Sequence, residues 1–357
     1  MRSEPQFHFF IITCRNPAND FREPLVEALS AYGPTTYIWL RRRPIVYDPS
    51  CGAAPNEMSL SRFLGFMTQR RTDGAIPVYF NSTNTYFPGL TVLLRLIAPP
   101  GVWCFDLHDD LRYHNTGLKR ITESLIVTLI AAASHEIVHA APTLQALFPR
   151  SRHLGNASHL RPVRRDATLS NAVLVVASFD ERLDFGFLQT VIRQNPNLAF
   201  HLYGWVRADD RATREALDSL VSGCPNVTYY GAYTMAELPD ILVRYKVTLA
   251  AYRTGTSLTH FIDPLRFYHC LNAGLEVVST AIPQARILSN HVHVVTDVDI
   301  CSATLAAILQ DRLERQSGYA PITWGQKAKR LVEILRDSPR TLRLASRHST
   351  ELTGASR

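Results

Sequence analysis

Short apolar runs alternate with helical patterns along the whole chain. Near the N terminus an apolar run at 7–13 precedes a helical pattern at 21–31, and a second apolar run at 35–40 follows Gly33. A strand, a helix and another strand in this order are typical of a parallel sheet covered by helices. Similar runs predict further strands at 75–80, 102–105, 137–140, 153–155, 173–177, 198–203, 227–230, 247–251, 277–278 and 293–295.

Helical patterns fill most of the gaps between these strands. The polar, basic stretch 161–171 has neither period and is predicted to be a linker. The sequence therefore predicts two doubly wound α/β halves facing a cleft, which is the usual place for a ligand. The predicted helices are 59–71, 89–97, 118–133, 185–194, 211–219, 235–244, 265–273, 303–316 and 324–336.

The predicted domains follow from these elements. An N-terminal domain covers 1–160 and a C-terminal domain covers 172–322. The segment 323–337 is predicted to be a closing helix that packs back toward the N-terminal domain, and 338–357 to be a flexible tail.

Composition and charge narrow the class of partner. The chain has 357 residues, 46% of them hydrophobic, with a net charge of +7, which is typical of a globular protein that binds an anion. Nucleic acid, an anionic membrane surface, a diphosphate ligand and a merely solvated basic face all fit the charge. No nucleic-acid-binding module is recognisable, so we expect no nucleic-acid partner. The amphipathic pattern at 59–71 favours a helix that packs on the sheet, and its basic residues leave attachment to an anionic membrane as the alternative.

The six cysteines are scattered and show no metal-ligand spacing. We therefore expect a reduced, cytoplasmic location and no metal site. No secretory signal is recognisable, and the longest apolar segment is far too short to span a bilayer. Peripheral attachment to the inner face of the cytoplasmic membrane is the alternative location.

A candidate anion site stands at 263–280. Asp263 is predicted to cap a helix, Pro264 to occupy its first turn and Gly274 to end it before a short strand. A helix N-terminus attracts anions because its N–H groups and its dipole point outward. The alternative is an ordinary packing helix.

A cluster of ionisable residues follows the predicted strand 102–105. Asp106, His108, Asp109 and Asp110 lie where parallel sheets bind ligands, at the carboxyl end of a strand. These side chains are candidates for a general base, and Asp109 or Asp110 can instead cap the next helix.

Four stretches of the second half carry a recognisable pattern: VLVVASFDERLD at 173–184, FHLYG at 200–204, NVTYYGAYTMAELP at 226–239 and DPLRFYHCLNAGLEVVST at 263–280. In order and spacing they resemble the nucleotide-binding domain of the GT-B glycosyltransferases, close to the bacterial family 4 (group 1) type. In the first half, 106–110 and 154–159 resemble that family more loosely.

The resemblance implies two Rossmann-like domains, an N-terminal one on the acceptor side and a C-terminal one that binds a nucleoside diphosphate sugar. It implies a metal-independent hexosyltransferase without a cofactor other than this donor. The implied catalytic residues are His108, Asp109 and Asp110. The implied donor-binding residues are Arg182, Gly204, Tyr233, Arg253, Asp263, Pro264, Leu265, Arg266 and His269.

The implied reaction transfers a sugar, with a UDP-sugar favoured as donor, to a saccharide or lipid-linked saccharide in bacterial surface polysaccharide synthesis. One departure bears on this expectation. His269 stands where the family carries a glutamate for the ribose hydroxyls, and an imidazole cannot accept both as a carboxylate does. A non-catalytic GT-B scaffold and a nucleotide-sugar epimerase of the same fold are the alternatives.

Overall fold

Two parallel sheets form the framework of the chain. The computed structural model describes residues 5–13, 23–39, 57–59, 65, 75–82, 95–108, 117–158, 160, 169–206, 210–313, 319–320 and 322–354. The strands are β1 Phe7–Thr13, β2 Thr35–Trp39, β3 Glu57–Ser59, β4 Ile76–Ser82, β5 Val102–Leu107, β6 Glu136–His139, β7 Arg152–His153, β8 Leu169–Phe179, β9 Ala199–Val206, β10 Val227–Gly231, β11 Tyr245–Ala250, β12 Glu276–Thr280 and β13 Val292–Val295.

Helices connect most of these strands. They are α1 Glu23–Leu29, α2 Gly117–Ala133, α3 Phe185–Gln194, α4 Arg211–Gly223, α5 Leu238–Leu242, α6 Ser257–His260, α7 Leu265–Asn272, α8 Pro283–Ile287, α9 Val298–Leu309, α10 Trp324–Arg336 and α11 Pro339–Gly354, with 3-10 turns at Ser30–Tyr32 and Pro142–Ala146. The chain divides into two units, one of Met1–Gly155 with Thr323–Arg357 and one of Asn156–Ile322.

The first unit holds a seven-stranded parallel sheet in the order β3-β2-β1-β4-β5-β6-β7. Every residue of β5 is buried, as expected for a strand whose two faces are both covered. Phe10, Tyr79 and Trp103 stand at paired positions of three adjacent strands, and their rings stack at 5.6 and 4.5 Å. This aromatic ladder fixes the register at the centre of the sheet.

The C-terminal helices belong to the first unit. Thr323 and Gln326 form a capping box at the start of α10, which packs against α1. A further helix, α11, occupies most of the segment predicted to be a flexible tail. Thr341 and Leu344 of α11 are buried, so the helix has a face that packs.

The second unit holds a six-stranded parallel sheet in the order β10-β9-β8-β11-β12-β13. The strand order reverses between β8 and β11, because the chain winds outward from β8 in one direction and from β11 in the other. Side chains of β8, β9 and β11 fill the core on both faces of this sheet.

The structure differs from the sequence prediction at some boundaries. Strand β8 begins at Leu169, inside the predicted linker, and α9 begins at Val298, five residues before the predicted start, because the Asp297 carboxylate caps it by accepting from the Ile300 N–H. The short helix α8 is an addition. Most of the predicted helices 59–71 and 89–97, and the linker residues 161–168, lie outside the described residues.

One imidazole at the carboxyl edge of the first sheet, that of His139, is buried. His139 is fully buried, and its Nδ1 lies 2.8 Å from Oγ of Ser151, while the ring of His153 lies 5.5 Å away. Burial first, and then the neighbouring His153, lowers the pKa of His139 to about 4. In the unfolded chain the same group titrates near its ordinary value of about 6.5.

The first unit is therefore expected to lose stability as the pH falls from about 6.5 toward 4. Between these pH values the His139 imidazole binds a proton more tightly in the unfolded state than in the folded state. Its contribution to the stability of the folded state is therefore complete above pH 6.5. For His139 alone the loss is on the order of 2–3 kcal/mol. Urea unfolding at several pH values checks this, with His139→Gln as the comparison. A variant with the same pH slope as the unaltered protein would exclude His139 as its source.

Candidate functional site

The site of the second unit lies where the strand order reverses. The segments after β8 and β11 meet at the carboxyl edge of the sheet through a bridge between Leu183 and Tyr252. The N–H of Asp184 donates to the carbonyl of Ala251 at 2.9 Å, and the N–H of Arg253 donates to that of Arg182, also at 2.9 Å. Open α/β sheets bind their ligands at such a crossing point.

Arg182 is held by a carboxylate from its own loop. Its Nε donates to Oδ1 and Oδ2 of Asp180 at 3.0 and 3.1 Å, and its Nη2 donates to Oδ2 as well. Burial alone raises the pKa of Asp180, but hydrogen bonds and charge from Arg182, with charge from Arg266, bring the pKa below its usual value. Asp180 is therefore ionised at neutral pH and fixes the direction of the Arg182 guanidinium.

Arg266, in the first turn of α7, lies over an aromatic ring of this site. Its guanidinium carbon is 4.8 Å from the centroid of Tyr252, which is buried. Nη1 of Arg266 is buried and has no hydrogen-bond partner within the described part of the chain. A buried donor left unpaired costs about 1–3 kcal/mol, more if it is charged, so this geometry favours an anionic ligand beside Arg266.

Arg253 completes the basic cluster. Its side chain is exposed, and its Nε donates to the carbonyl of Leu183 at 3.2 Å. The structure thus brings together three of the predicted donor-binding residues, Arg182, Arg253 and Arg266, around Tyr252. We call these four residues with Asp180 the arginine cluster; its net charge is positive, because one carboxylate faces three guanidiniums.

The helix α7 begins at Leu265, as predicted, but its N-terminus is not capped as predicted. Pro264 is the N-cap, and the described residues show no side-chain cap on the helix. The prediction that Asp263 caps it is therefore wrong. An uncapped N-terminus retains its attraction for anions, and Arg266 stands beside it.

Asp263 instead connects α7 to the segment 156–160. Its Oδ2 accepts from the N–H of Asn156 at 2.7 Å, and its Oδ1 accepts from the Tyr268 hydroxyl, also at 2.7 Å. Nδ2 of Asn156 donates to the carbonyl of Asp263 at 2.6 Å. Asp263 is buried, so its carboxylate has a structural role, which is to hold α7 against the segment 156–160.

His269 is held by the same segment. Its Nδ1 lies 2.8 Å from Oγ of Ser158, and the imidazole is only 5% exposed. One turn further along α7, Nδ2 of Asn272 donates to the carbonyl of Leu160 at 2.9 Å. His269, which stands where the resemblance predicts a glutamate, is therefore already in contact with Ser158.

Tyr233 and Gly204 were also predicted to bind the donor. Tyr233 packs on the core beside the arginine cluster, where burial raises its pKa to about 12 although the charge of Arg266 opposes the rise. Gly204 has a φ of 151°, and a Cβ there would stand 1.7 Å from the carbonyl oxygen of Ala177. Close strand packing therefore explains this glycine, and the donor roles of both residues stay predictions.

In the first unit, β5 delivers a carboxylate and an imidazole to the edge of its sheet. Nε2 of His108 lies 2.9 Å from Oδ2 of Asp106, although the two atoms are not aligned as a hydrogen bond. Both side chains are buried. Asp109 and Asp110, the other predicted catalytic residues, lie outside the described residues.

Sequence reasoning missed several residues that shape the site. Asp180 orients Arg182, Tyr252 lies under Arg266, and Asn156 and Ser158 hold α7. Of these residues only Asp180 could have been predicted from the sequence, because a carboxylate close to an arginine in a loop is a common partner for its guanidinium.

Solved structures share the architecture of this chain. No protein-family profile matches the chain, and no curated protein matches its sequence. Similar structures include a sucrose-phosphate synthase from Thermosynechococcus elongatus, with a TM-score of 0.66 and 16% identity over 98% of this chain and 100% of that one. The catalytic domain of starch synthase IV from Arabidopsis thaliana, bound to ADP and acarbose, has a TM-score of 0.66 and 9% identity over 94% of this chain and 99% of that one.

A third similar structure is the UDP-N-acetylglucosamine 2-epimerase from Rickettsia bellii, with a TM-score of 0.55 and 8% identity over 92% of this chain and 96% of that one. The sheet orders and these likenesses show that the chain has the GT-B fold, with two Rossmann-like units, as predicted. Within the described residues, no helix has the length and apolar character needed to cross a membrane.

Proposed function

We propose that this protein is a glycosyltransferase that transfers a sugar from a nucleoside diphosphate sugar to a saccharide acceptor. The observation that carries the proposal is the arginine cluster at the crossing point of a GT-B unit. Its strongest element is Arg266, whose buried Nη1 has no partner among the described residues and which lies beside a helix start that these residues leave without a side-chain cap. A diphosphate is the ligand whose charge and oxygen spacing suit such donors.

The arginines would assist departure of the nucleotide. In the reaction the bond between the sugar C1 and the diphosphate oxygen breaks, and a bond from C1 to an acceptor oxygen forms. The acceptor hydroxyl gives its proton to a general base or to an oxygen of the departing diphosphate, and the nucleoside diphosphate takes the electron pair of the broken bond. Fixed guanidinium donors stabilise the resulting negative charge more in the transition state than in the bound substrate. Arginines performing this task need no metal ion, which supports metal-independent transfer.

A general base is required if the reaction inverts the anomeric centre. His108, Asp109 and Asp110 are the proposed candidates, and the Asp106 carboxylate lies beside the His108 imidazole. A retaining reaction needs no such base. Catalysis then depends mainly on stabilisation of the leaving nucleoside diphosphate by the arginine cluster.

We favour a UDP-sugar as donor and a saccharide or lipid-linked saccharide as acceptor, in bacterial surface polysaccharide synthesis. The sequence resemblance to family 4 motivates this choice. One of the similar structures is an enzyme named for a UDP-sugar and another is bound to ADP, so the base of the nucleotide is the first property to measure.

A thermal-shift panel of UDP-, ADP-, GDP- and dTDP-sugars tests the proposal. A ligand that binds only the folded state raises the melting temperature, by an amount equivalent to about 2.7 kcal/mol at a hundred times its Kd. We expect one nucleotide class to raise it and the others not to. No shift with any donor would support a non-catalytic scaffold.

Release of the nucleoside diphosphate then distinguishes transfer from epimerisation. A transferase releases it in proportion to added saccharide acceptor. An epimerase, which the Rickettsia bellii structure makes a specific alternative, converts the donor sugar with no acceptor present.

A further inference from the structure

Helix α2 of the first unit exposes a row of large aliphatic side chains. Leu118, Ile121, Leu125 and Leu129 are 78, 66, 59 and 44% exposed. Their spacing of three and four residues places them along one side of the helix. We call these four residues the aliphatic stripe. A surface helix ordinarily turns polar residues to solvent, so the stripe needs a partner.

The opposite side of the same helix is the side that packs. Val127, Ile130 and Ala131 are buried against the rest of the unit. At 100° per residue, the charged residues Lys119, Arg120 and Glu123 fall on the same side as these buried residues, nearer the start of the helix, and outside the aliphatic stripe. The stripe side of α2 is therefore uncharged and exposed, whereas the C-terminal half of the opposite side packs into the unit.

The apolar surface continues beyond the C-terminal end of α2. Arg95 donates from Nη1 to the carbonyl of Ala133, which joins the short turn 95–97 to the end of the helix. The next two residues, Leu96 and Ile97, are 78 and 48% exposed. They therefore add exposed apolar surface near the last turn of α2.

A basic pocket lies at this end of the helix. Arg95, Pro99, His135 and Arg340 are among the residues that line a cavity of about 200 Å³, and Nε of Arg340 lies 3.5 Å from the carbonyl of Gly101. Burial first, and then the charges of Arg95, Arg340 and Arg343, lower the pKa of His135 to about 4. Two guanidiniums, those of Arg95 and Arg340, thus line the pocket with the His135 imidazole, and the charge of Arg343 also acts on this imidazole.

We propose that the aliphatic stripe, Leu96, Ile97 and the basic pocket together form a docking surface for an anionic membrane. Aliphatic side chains would enter the boundary between headgroups and acyl chains, while the arginines bind lipid phosphates. The net charge of +7 favours such a surface. This inference does not rest on the donor site.

A second copy of the chain fits this surface less well. The stripe exposes a few hundred Å² at most, whereas a stable interface buries roughly 800 Å² on each partner. Pairing two copies through this face would also bring two clusters of arginines together. The bilayer offers both an apolar layer and negative charge, which matches the two parts of the surface.

Vesicle flotation of the full chain tests the proposal. The probes are vesicles of phosphatidylcholine alone and of phosphatidylcholine mixed with phosphatidylglycerol, each at low and high salt. We expect flotation with the anionic vesicles, weakened by salt. Ile121→Gln with Leu125→Gln is expected to lower the partition about tenfold or more at either salt concentration, because two apolar side chains no longer leave water. Arg340→Gln with Arg343→Gln is expected to lower it about fivefold for each arginine at low salt.

Matched variants control for loss of fold and of overall charge. Ile287→Gln with Ile300→Gln changes two isoleucines of the second unit that are 52 and 47% exposed, and Arg211→Gln with Arg330→Gln removes two exposed arginines. Both control variants should float like the unaltered protein. The proposal is overturned if the protein does not float with anionic vesicles or if the stripe variant floats as well as its control. It is also overturned if the stripe variant changes only the oligomeric state, measured by light scattering.

Discussion

Replacing Arg266 with glutamine is expected to weaken binding of the nucleoside diphosphate by about ten- to a hundredfold. The substitution removes a charged donor whose buried Nη1 has no partner in the part of the chain that the structure describes, and a hydrogen bond to a charged group contributes about 1.5–3 kcal/mol. The free protein should melt at the same temperature or higher, because the variant also removes an unpaired buried group. Titration calorimetry with UDP and a melting curve measure the two effects.

Two further variants make this result specific. Arg266→Lys keeps the charge but loses the planar fork, so its affinity should lie between those of the unaltered protein and the glutamine variant. Arg211→Gln removes an exposed arginine of the same unit that pairs with Glu215, and it should bind UDP normally. Equal affinities for Arg266→Gln and Arg211→Gln would exclude Arg266 from the donor site.

Replacing Asp263 with alanine is expected to lower the free energy of unfolding by about 3–5 kcal/mol. The carboxylate accepts from the Asn156 N–H and from the Tyr268 hydroxyl, and its removal leaves two buried donors without their acceptor. For a unit of this size the melting temperature should fall by about 10 °C. Differential scanning calorimetry measures the change.

An ordinary helix cap provides the control for Asp263. The carboxylate of Asp297 accepts from the Ile300 N–H at the start of α9, and Asp297→Ala should cost about 1 kcal/mol. If Asp263→Ala destabilised the protein no more than Asp297→Ala does, the contacts of Asp263 between α7 and the segment 156–160 would contribute little to the free energy of unfolding.

The strands were the most predictable part of the fold. In both units the strands of a parallel sheet are covered on two faces, so segments such as Val102–Leu107 carry nearly continuous apolar side chains that are easy to recognise. Short elements such as α8 and β3 have too few residues to show a period. The final helix α11 was missed because its packing face is weakly apolar and depends on contacts formed only in the folded unit.

The arginines of the site were predictable one by one, but their mutual geometry was not. The resemblance to known glycosyltransferases gave the positions of Arg182, Arg253 and Arg266. Their meeting around Tyr252 follows from the adjacency of β8 and β11, which the sheet order shows.

The roles of Asp263 and His269 could not be deduced from neighbouring residues. Asp263 looked like a cap because of its place before a proline, yet its partner Asn156 lies 107 positions away in the chain. His269 is engaged by Ser158, 111 positions away. Contacts of such separation leave no local pattern, so only the folded structure shows them.

A crystal structure of the full chain with UDP shows whether the arginine cluster is the donor site. We predict that the diphosphate lies at the carboxyl edge between β8 and β11, with its oxygens within hydrogen-bond distance of the Arg266 guanidinium and near Arg182. A UDP molecule bound elsewhere, or an unchanged arginine cluster without nucleotide at saturating UDP, would contradict it.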